Sequence, residues 1–357
     1  MYPALTVNLK KLEHNIDFLM KLCDKNGIQV AFVTKCVCAD SRIAKLIEAS
    51  GAWMVADSRV QNLDAICTKK PKLLLRVSAP SEVEETVRAA EYSLQSEISV
   101  IRALGEAAKA QKRKHGVILM ADMGDLREGI FFENEALLLE TAKAVLQEPW
   151  LELSGLGTNL TCYGSIVPSE ENMSGLVRLA EKLRGELGVE LPVVSGGNSS
   201  TMGLLEKGLL PKGINHLRIG EAFLFGHDTS RFRVMDGLYG DAFVLEAELA
   251  EVQKKPSVPI GERYKNAFGE VVEYPDKGEM LRGVLAIGRQ DAAVEGLTPL
   301  DAGVEILGAS SDHMLVDLTA ANGRFHVGDK LRFVPDYGAL LRLYTSTYAY
   351  VEKRYLG

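Results

Sequence analysis

Gln29-Val30-Ala31-Phe32-Val33-Thr34-Lys35 is an apolar run of strand length that closes on a cation. A buried strand is its simplest reading. Lys35 at the end then needs a reason, because an ammonium is costly to desolvate unless it is paired or used covalently. An exposed lysine is the plain reading, and a Schiff base with pyridoxal phosphate is the chemical one. The residues that close the later strands decide between them.

Outward from this run, β-rich segments alternate with amphipathic ones. The pattern predicts strands at 29–35, 53–56, 72–77, 92–97, 116–122, 153–159, 192–195 and 216–219. Between them the apolar spacing predicts helices at 40–49, 81–89, 98–111, 134–147 and 169–187. About eight such units over roughly 220 residues suit an α/β fold of the (β/α)8 TIM-barrel kind. A doubly wound sheet is the competitor, but no G-x-G-x-x-G follows the first strand and the unit count suits closure. After about Gly226 the pattern changes to short alternating runs at 242–252, 281–287, 314–317 and 330–334, punctuated by Gly and Pro. We therefore expect a barrel over residues 10–228 and a C-terminal mostly-β domain over 229–357, with the alternating stretch 1–9 joining the latter and 11–22 leading as a helix into the barrel.

Composition narrows the function. The chain has 357 residues, 46% of them hydrophobic, and a net charge of −7, enough for a large core and wrong for nucleic acid, which needs clustered Lys and Arg. The opening Met1-Tyr2-Pro3-Ala4 is no charged-then-apolar leader, and no apolar run approaches the roughly 20 residues that span a bilayer. The expectation is a cytoplasmic protein with no membrane partner. Cys23, Cys36, Cys38, Cys67 and Cys162 suit reduced thiols, and no Cys or His pair stands at ligand spacing for a metal.

In a barrel, chemistry projects from the C-terminal strand ends and the loops that follow. That rule selects Lys35, Asp57, Ser58, Ser78, Glu97, Asp122 with Arg127, Asn159, Ser195 to Thr201, and Arg218 to Glu221. Ser195-Gly196-Gly197-Asn198-Ser199-Ser200-Thr201 joins flexible glycines to hydroxyl donors before a helix, which is more than a helix cap needs and suits a phosphate. Gly220 and Glu221 can offer amides to the same phosphate. Arg218 stays protonated and only donates, so a pyridine nitrogen facing it must accept and remain unprotonated. Such a ring is a weaker electron sink, which discourages side reactions such as transamination.

These residues resemble a known family. Val33-Thr34-Lys35, the D-x-G-x-x-R-x-G segment Asp122 to Gly129, Asn198-Ser199, and the R-x-G of Arg218-Ile219-Gly220 are similar in order and spacing to motifs of the alanine racemase-like, fold type III pyridoxal phosphate enzymes. The likeness covers nearly the whole chain and lies nearest the alanine/ornithine racemase branch. The resemblance implies pyridoxal 5'-phosphate on Lys35, Arg127 near its phenolic oxygen or the substrate carboxylate, and Ser199, Gly220, Glu221 and Tyr337 near its phosphate. It also implies a homodimer with shared active sites.

The departures matter as much. Where the family's alanine enzymes carry a catalytic tyrosine in G-Y-x-D-G, this chain has Ile287-Gly288-Arg289-Gln290-Asp291-Ala292. Racemisation by two bases needs a group on each face of the α-carbon, so Asp291, Arg289 or a residue of Ser310-Ser311-Asp312-His313 takes over, or a tyrosine arrives from elsewhere; Asp291 is the leading candidate. An Arg289–Asp291 pair that is structural or holds the substrate carboxylate is the competing reading. The family's histidine beneath the ring arginine is replaced by Asn159, expected to orient Arg218 by a hydrogen bond. The function implied is an amino-acid racemase that removes and returns the α-proton. Ornithine is the expected small-molecule substrate, its cationic side chain suiting Asp291 and Asp312. The alternatives are a basic amino-acid decarboxylase, disfavoured by Arg218, and a non-catalytic cofactor carrier, disfavoured by the long β-rich stretch.

Overall fold

The computed structural model describes residues 1–346 and 351–357 and divides them into two units, Lys10–Gly240 and Met1–Leu9 with Asp241–Gly357. The first unit is a closed barrel. Its eight parallel strands are Gln29–Val33, Met54–Asp57, Lys72–Leu74, Tyr92–Gln95, His115–Asp122, Leu151–Gly157, Val193–Ser195 and His216–Ile219, the last pairing back onto the first with Arg218 opposite Ala31. Alternate residues such as Ala31, Val33, Met54, Ala56, Ile118 and Met120 fill the inside with apolar volume. Burial of that surface is the main drive for closure.

The helices outside the barrel are set by local chemistry. Asp40 caps Ser41–Ala49 by accepting from the amides of Arg42 and Ile43. Ser169 and Asn172 form a capping box ahead of Glu170–Leu187, which Gly188 ends at φ +65°. The first barrel strand is two residues shorter than the apolar run suggests. Thr34 leaves extended geometry at ψ −2°, and Lys35 opens a single 3-10 turn, Lys35–Val37, so the cation stands just past the strand rather than on it.

The second unit is built on an antiparallel sheet. Its order is Leu297–Pro299, Lys330–Pro335, Phe243–Pro256, Glu279–Leu285, Met314–Asp317 and Glu305–Ala309. Ala4–Asn8 pairs antiparallel with Phe243–Pro256 and parallel with Glu352–Leu356. Phe243–Pro256 outruns the expected 242–252 because Glu279–Leu285 keeps pairing along it to Pro256. One element was not expected in this region, the helix Tyr337–Thr345, capped by Asp336. The boundary between the units, Gly240/Asp241, lies beyond the expected 228/229. Among the described residues no helix is long and apolar enough to cross a membrane.

Candidate active site

The barrel's C-terminal strand ends are tied together in pairs. Next to Lys35, the Thr34 hydroxyl donates to Asp57 Oδ2 at 2.7 Å, and Asn62 Nδ2 and the Arg59 amide donate to Asp57 Oδ1 at 3.0 Å each. Burial pushes the Asp57 carboxyl above its usual range, against these hydrogen bonds. Thr34, the residue before Lys35, is thereby pinned to the second strand, while Lys35 itself stays half-buried.

Arg218 is 3% exposed at the third position of the last strand. Its guanidinium donates to Ser195 Oγ and, at 2.6 Å, to the Thr158 carbonyl. Burial lowers its pKa to about 10, which still leaves it charged at neutral pH. Asn159 does not orient it: Asn159 Oδ1 accepts from Asn198 Nδ2 at 3.0 Å instead, and the preceding carbonyl takes the expected role. Behind Ser195, His216 Nδ1 lies 2.8 Å from the hydroxyl.

Ser199 is the focus of a second cluster. Its Oγ accepts from the amides of Gly220 at 3.3 Å and Ala222 at 3.0 Å, at the opening of the helix Glu221–Phe225. Glu221 is half-buried with an oxygen 3.7 Å from His227 Nδ1. Asn198 caps the turn through the Ser200 amide at 2.8 Å and reaches the Leu160 carbonyl at 3.1 Å. The two glycines before it are needed for different reasons: a side chain at Gly196 would run into Ile214, and Gly197 sits at φ +103°.

The Asp122 to Gly129 segment folds back under its own carboxylates. Asp122 Oδ1 accepts from the amides of Gly124 at 2.9 Å and Leu126 at 3.1 Å. Asp125, fully buried, accepts from the amides of Thr161 at 2.9 Å, Tyr163 at 3.0 Å, Gly164 at 3.1 Å and Ile166 at 3.4 Å, locking the loop after the sixth strand to the loop after the fifth. Arg127 pairs with Glu128, and Cys162 Sγ lies 3.5 Å from Asn198 Nδ2. The structure thus gathers the Arg127 loop, Asn159, Asn198, Ser199, Arg218 and Gly220 through linked hydrogen bonds, with the amide of Ala222 rather than that of Glu221 as the second donor to Ser199. Thr158, Asp125 and His216 were not foreseen. Their signal was absent because a carbonyl acceptor has no residue type, and Asp125 and His216 act by long-range contact.

Thr158 Oγ1, Asn159 Nδ2 and Ser200 Oγ are buried and have no hydrogen-bond partner among the described residues. Unsatisfied buried polar atoms are uncommon, and here they border a fixed cation and converging amides, a donor set suited to an anionic, acceptor-rich ligand. No group of acidic, His or Cys residues suited to a metal is found among the described residues.

Asp291 and Tyr337 belong to the other unit. Asp291 is 3% exposed and its Oδ1 accepts from Ser346 Oγ at 2.8 Å, beside the C-terminus of the helix that Tyr337 opens. The Arg289–Asp291 pairing is replaced: Arg289 takes Glu270 at 2.9 Å and Glu295 at 3.2 Å, and lies 4.5 Å over the Phe268 ring. Asp312 accepts from Gln290 Nε2 at 2.9 Å.

A sequence profile for the alanine racemase N-terminal domain matches residues 7–228. The ornithine racemase of Acetoanaerobium sticklandii is 44% identical over 357 residues, all of both chains. The lysine racemase of Thermotoga maritima is 39% identical over 360 residues, 99% of each chain. Among solved structures, the alanine racemase of Streptomyces coelicolor A3(2) superposes with a TM-score of 0.74 at 17% identity, covering 99% of this chain and 98% of its own, a likeness of fold. With profile, end-to-end relatives and barrel-plus-β architecture in agreement, the chain belongs to the alanine racemase family and is an amino-acid racemase.

Proposed function

We propose that this racemase inverts the α-carbon of ornithine, with pyridoxal 5'-phosphate as its cofactor, as a cytoplasmic homodimer with shared active sites. The observation that carries the substrate is the 44% identity to ornithine racemase along both whole chains. The lysine racemase points to the same cationic class of side chain.

The residues present fit the cofactor. The amides at Ser199 suit a phosphate, the buried Arg218 suits a ring nitrogen, and the unpartnered Asn159 Nδ2 and Ser200 Oγ are donors awaiting an acceptor. Lys35, Arg127, Asn159, Asn198, Ser199, Arg218, Gly220 and Glu221 would hold it, with Tyr337 as the expected contribution of the β unit. When bound, it withdraws electron density from the substrate's α-carbon and so eases loss of the α-proton.

The chain's own residues do the rest. Lys35 Nζ takes the α-proton from one enantiomer and returns a proton to form it again. Arg218 only donates, so a ring nitrogen held against it would have to accept, which would favour proton return over transamination. Asp291 is the group on the opposite face in this reading, supported by its carboxylate chemistry. Its bond to Ser346 favours an anchoring role instead, and Asp291→Asn separates the two. Loss of racemisation by more than about a hundredfold at unchanged melting temperature supports a base, whereas lowered melting with activity retained supports an anchor.

The reading is tested by incubating pure protein with pyridoxal 5'-phosphate and L-ornithine and resolving the enantiomers by chiral chromatography. Progress toward equal amounts of D- and L-ornithine is expected. Unchanged L-ornithine, L-lysine and L-alanine would overturn it. For the shared sites, specific activity should fall on dilution below the dimer's dissociation range, and constant activity in a sedimenting monomer would count against them.

A further inference from the structure

His216 has no part in the reaction as described, yet it is 0% exposed inside the barrel with a polar edge to satisfy. It stands two positions before Arg218 on the same strand, so both side chains share a face. Ser195, on the neighbouring strand, links them: Arg218 Nη1 donates to Ser195 Oγ, and Ser195 Oγ lies 2.8 Å from His216 Nδ1.

The direction of the second bond follows from counting protons. If His216 Nδ1 carried the proton, Ser195 Oγ would accept twice, and among the described residues its own hydrogen would have no acceptor and Nε2 would be a buried acceptor without a donor. If Nε2 carries the proton, the Ser195 hydrogen goes to Nδ1 and only the Nε2–H is left unpartnered. The imidazole as a whole packs edge-to-face against Trp53, with ring centroids 5.6 Å apart at 87°. The imidazole stays neutral, since burial first and the Arg218 charge second push its pKa down to about 3.

We propose that His216 is a positioning residue for Arg218: by accepting the Ser195 hydrogen at Nδ1 it commits the Ser195 oxygen to the guanidinium and so holds the Arg218 fork in one orientation toward the barrel mouth. A protonated imidazole would do the reverse, turning the serine hydrogen against the guanidinium. The Thr158 carbonyl holds the other arm of the fork, at 2.6 Å, and is a backbone group that no substitution removes. His216 and Ser195 are therefore the replaceable half of the support.

The value of that orientation rests on the racemase reading, but the hydrogen-bond relay does not. In unloaded, ¹⁵N-labelled protein, two-bond nitrogen–proton spectra should show His216 protonated at Nε2 and unprotonated at Nδ1, unchanged from pH 5 to pH 8. Ser195→Ala should move the Nδ1 resonance by removing its donor. A proton on Nδ1, or titration within that range, overturns the proposal whatever the protein catalyses. In the loaded enzyme, His216→Phe should lower kcat about tenfold, as for loss of one hydrogen bond to a charged group, with less change in KM for ornithine. His216→Asn, whose oxygen replaces Nδ1 as acceptor, should recover most of the loss. An Asn variant as slow as the Phe variant overturns the relay. If the Phe variant does not fold, the resonances of the unsubstituted chain decide alone.

Discussion

The two units treat charge differently. In the barrel unit Asp57, His115, Asp122, Asp125, His216, Arg218 and Asp228 are buried, whereas among the described Asp, Glu, His, Lys and Arg residues of the β unit Asp291 alone is buried. The β unit's charges meet at the surface, as in Lys277–Glu305 and Arg332–Asp301. Burying a charge is costly and exposed pairs contribute little, so the barrel has accepted a cost that the β unit has avoided. Arg218, Asp125 and Asp57 show what that cost secures: groups fixed by two or more hydrogen bonds at the barrel's C-terminal face, where a reaction needs a rigid frame.

The sharpest way to break this contrast is Lys35→Ala. Racemisation should fall by about a thousandfold or more, in the range expected of a lost acid–base group, while the melting temperature of the unloaded chain changes little because Lys35 is only half-buried. A residual rate within tenfold of the parent would remove the barrel's claim to the chemistry.

Next in size is Asp125→Ala. Four amides, those of Thr161, Tyr163, Gly164 and, more weakly, Ile166, lose their acceptor. A loss of about 3 kcal/mol in urea unfolding is expected, from buried donors left unmade. Asp312→Ala in the β unit, exposed, serves as the control with little change. Equal losses would erase the distinction between the units.

The pH dependence is smaller. Burial lowers His115 to about 4, from an unfolded value near 6.5. Its folded pKa is depressed, so its contribution is fully present above about pH 6.5 and is lost as pH falls toward about 4, because only the unfolded chain takes up the proton there. His216 acts in the same sense down to about 3, and Asp57, raised by burial, in the opposite one. Both tryptophans, Trp53 and Trp150, belong to the barrel unit, so their fluorescence follows that unit. Its melting temperature should fall between pH 6.5 and pH 4, and His115→Gln should flatten the slope. An unaltered slope would mean His115 is not buried neutral.

Smallest of all is Arg289→Ala. Its partners Glu270 and Glu295 are 46% and 65% exposed, and thermal melting should be unchanged by calorimetry. A clear drop would show that the β unit, too, relies on its charges.

Much of the barrel was legible because its signals are local. The strand His216–Ile219 and the helix Ile98–Gln111 carry the limits that apolar periodicity assigns them. Errors fell where tertiary contacts override propensity. Thr34 turns away from the strand to reach Asp57, and Phe243–Pro256 is drawn out by a partner strand. The helix Tyr337–Thr345 hid because Leu340, Leu341 and Leu343 resemble a continuing strand, and Asp336 as its cap is one residue among many of its kind. In the site, Ser199 and Gly220 could be picked out by composition, whereas the packing of Gly196 against Ile214, which leaves no room for a side chain, could not.

By itself the sequence determined which side chains close which strands, since alternation and residue chemistry are properties of neighbours along the chain. Which groups those side chains face was decided by the tertiary structure. Arg218 draws its partners from 23 and 60 positions away. Barrel closure brings Ser195, Thr158 and His216 to one guanidinium, and local spacing holds no record of distances across a closed sheet.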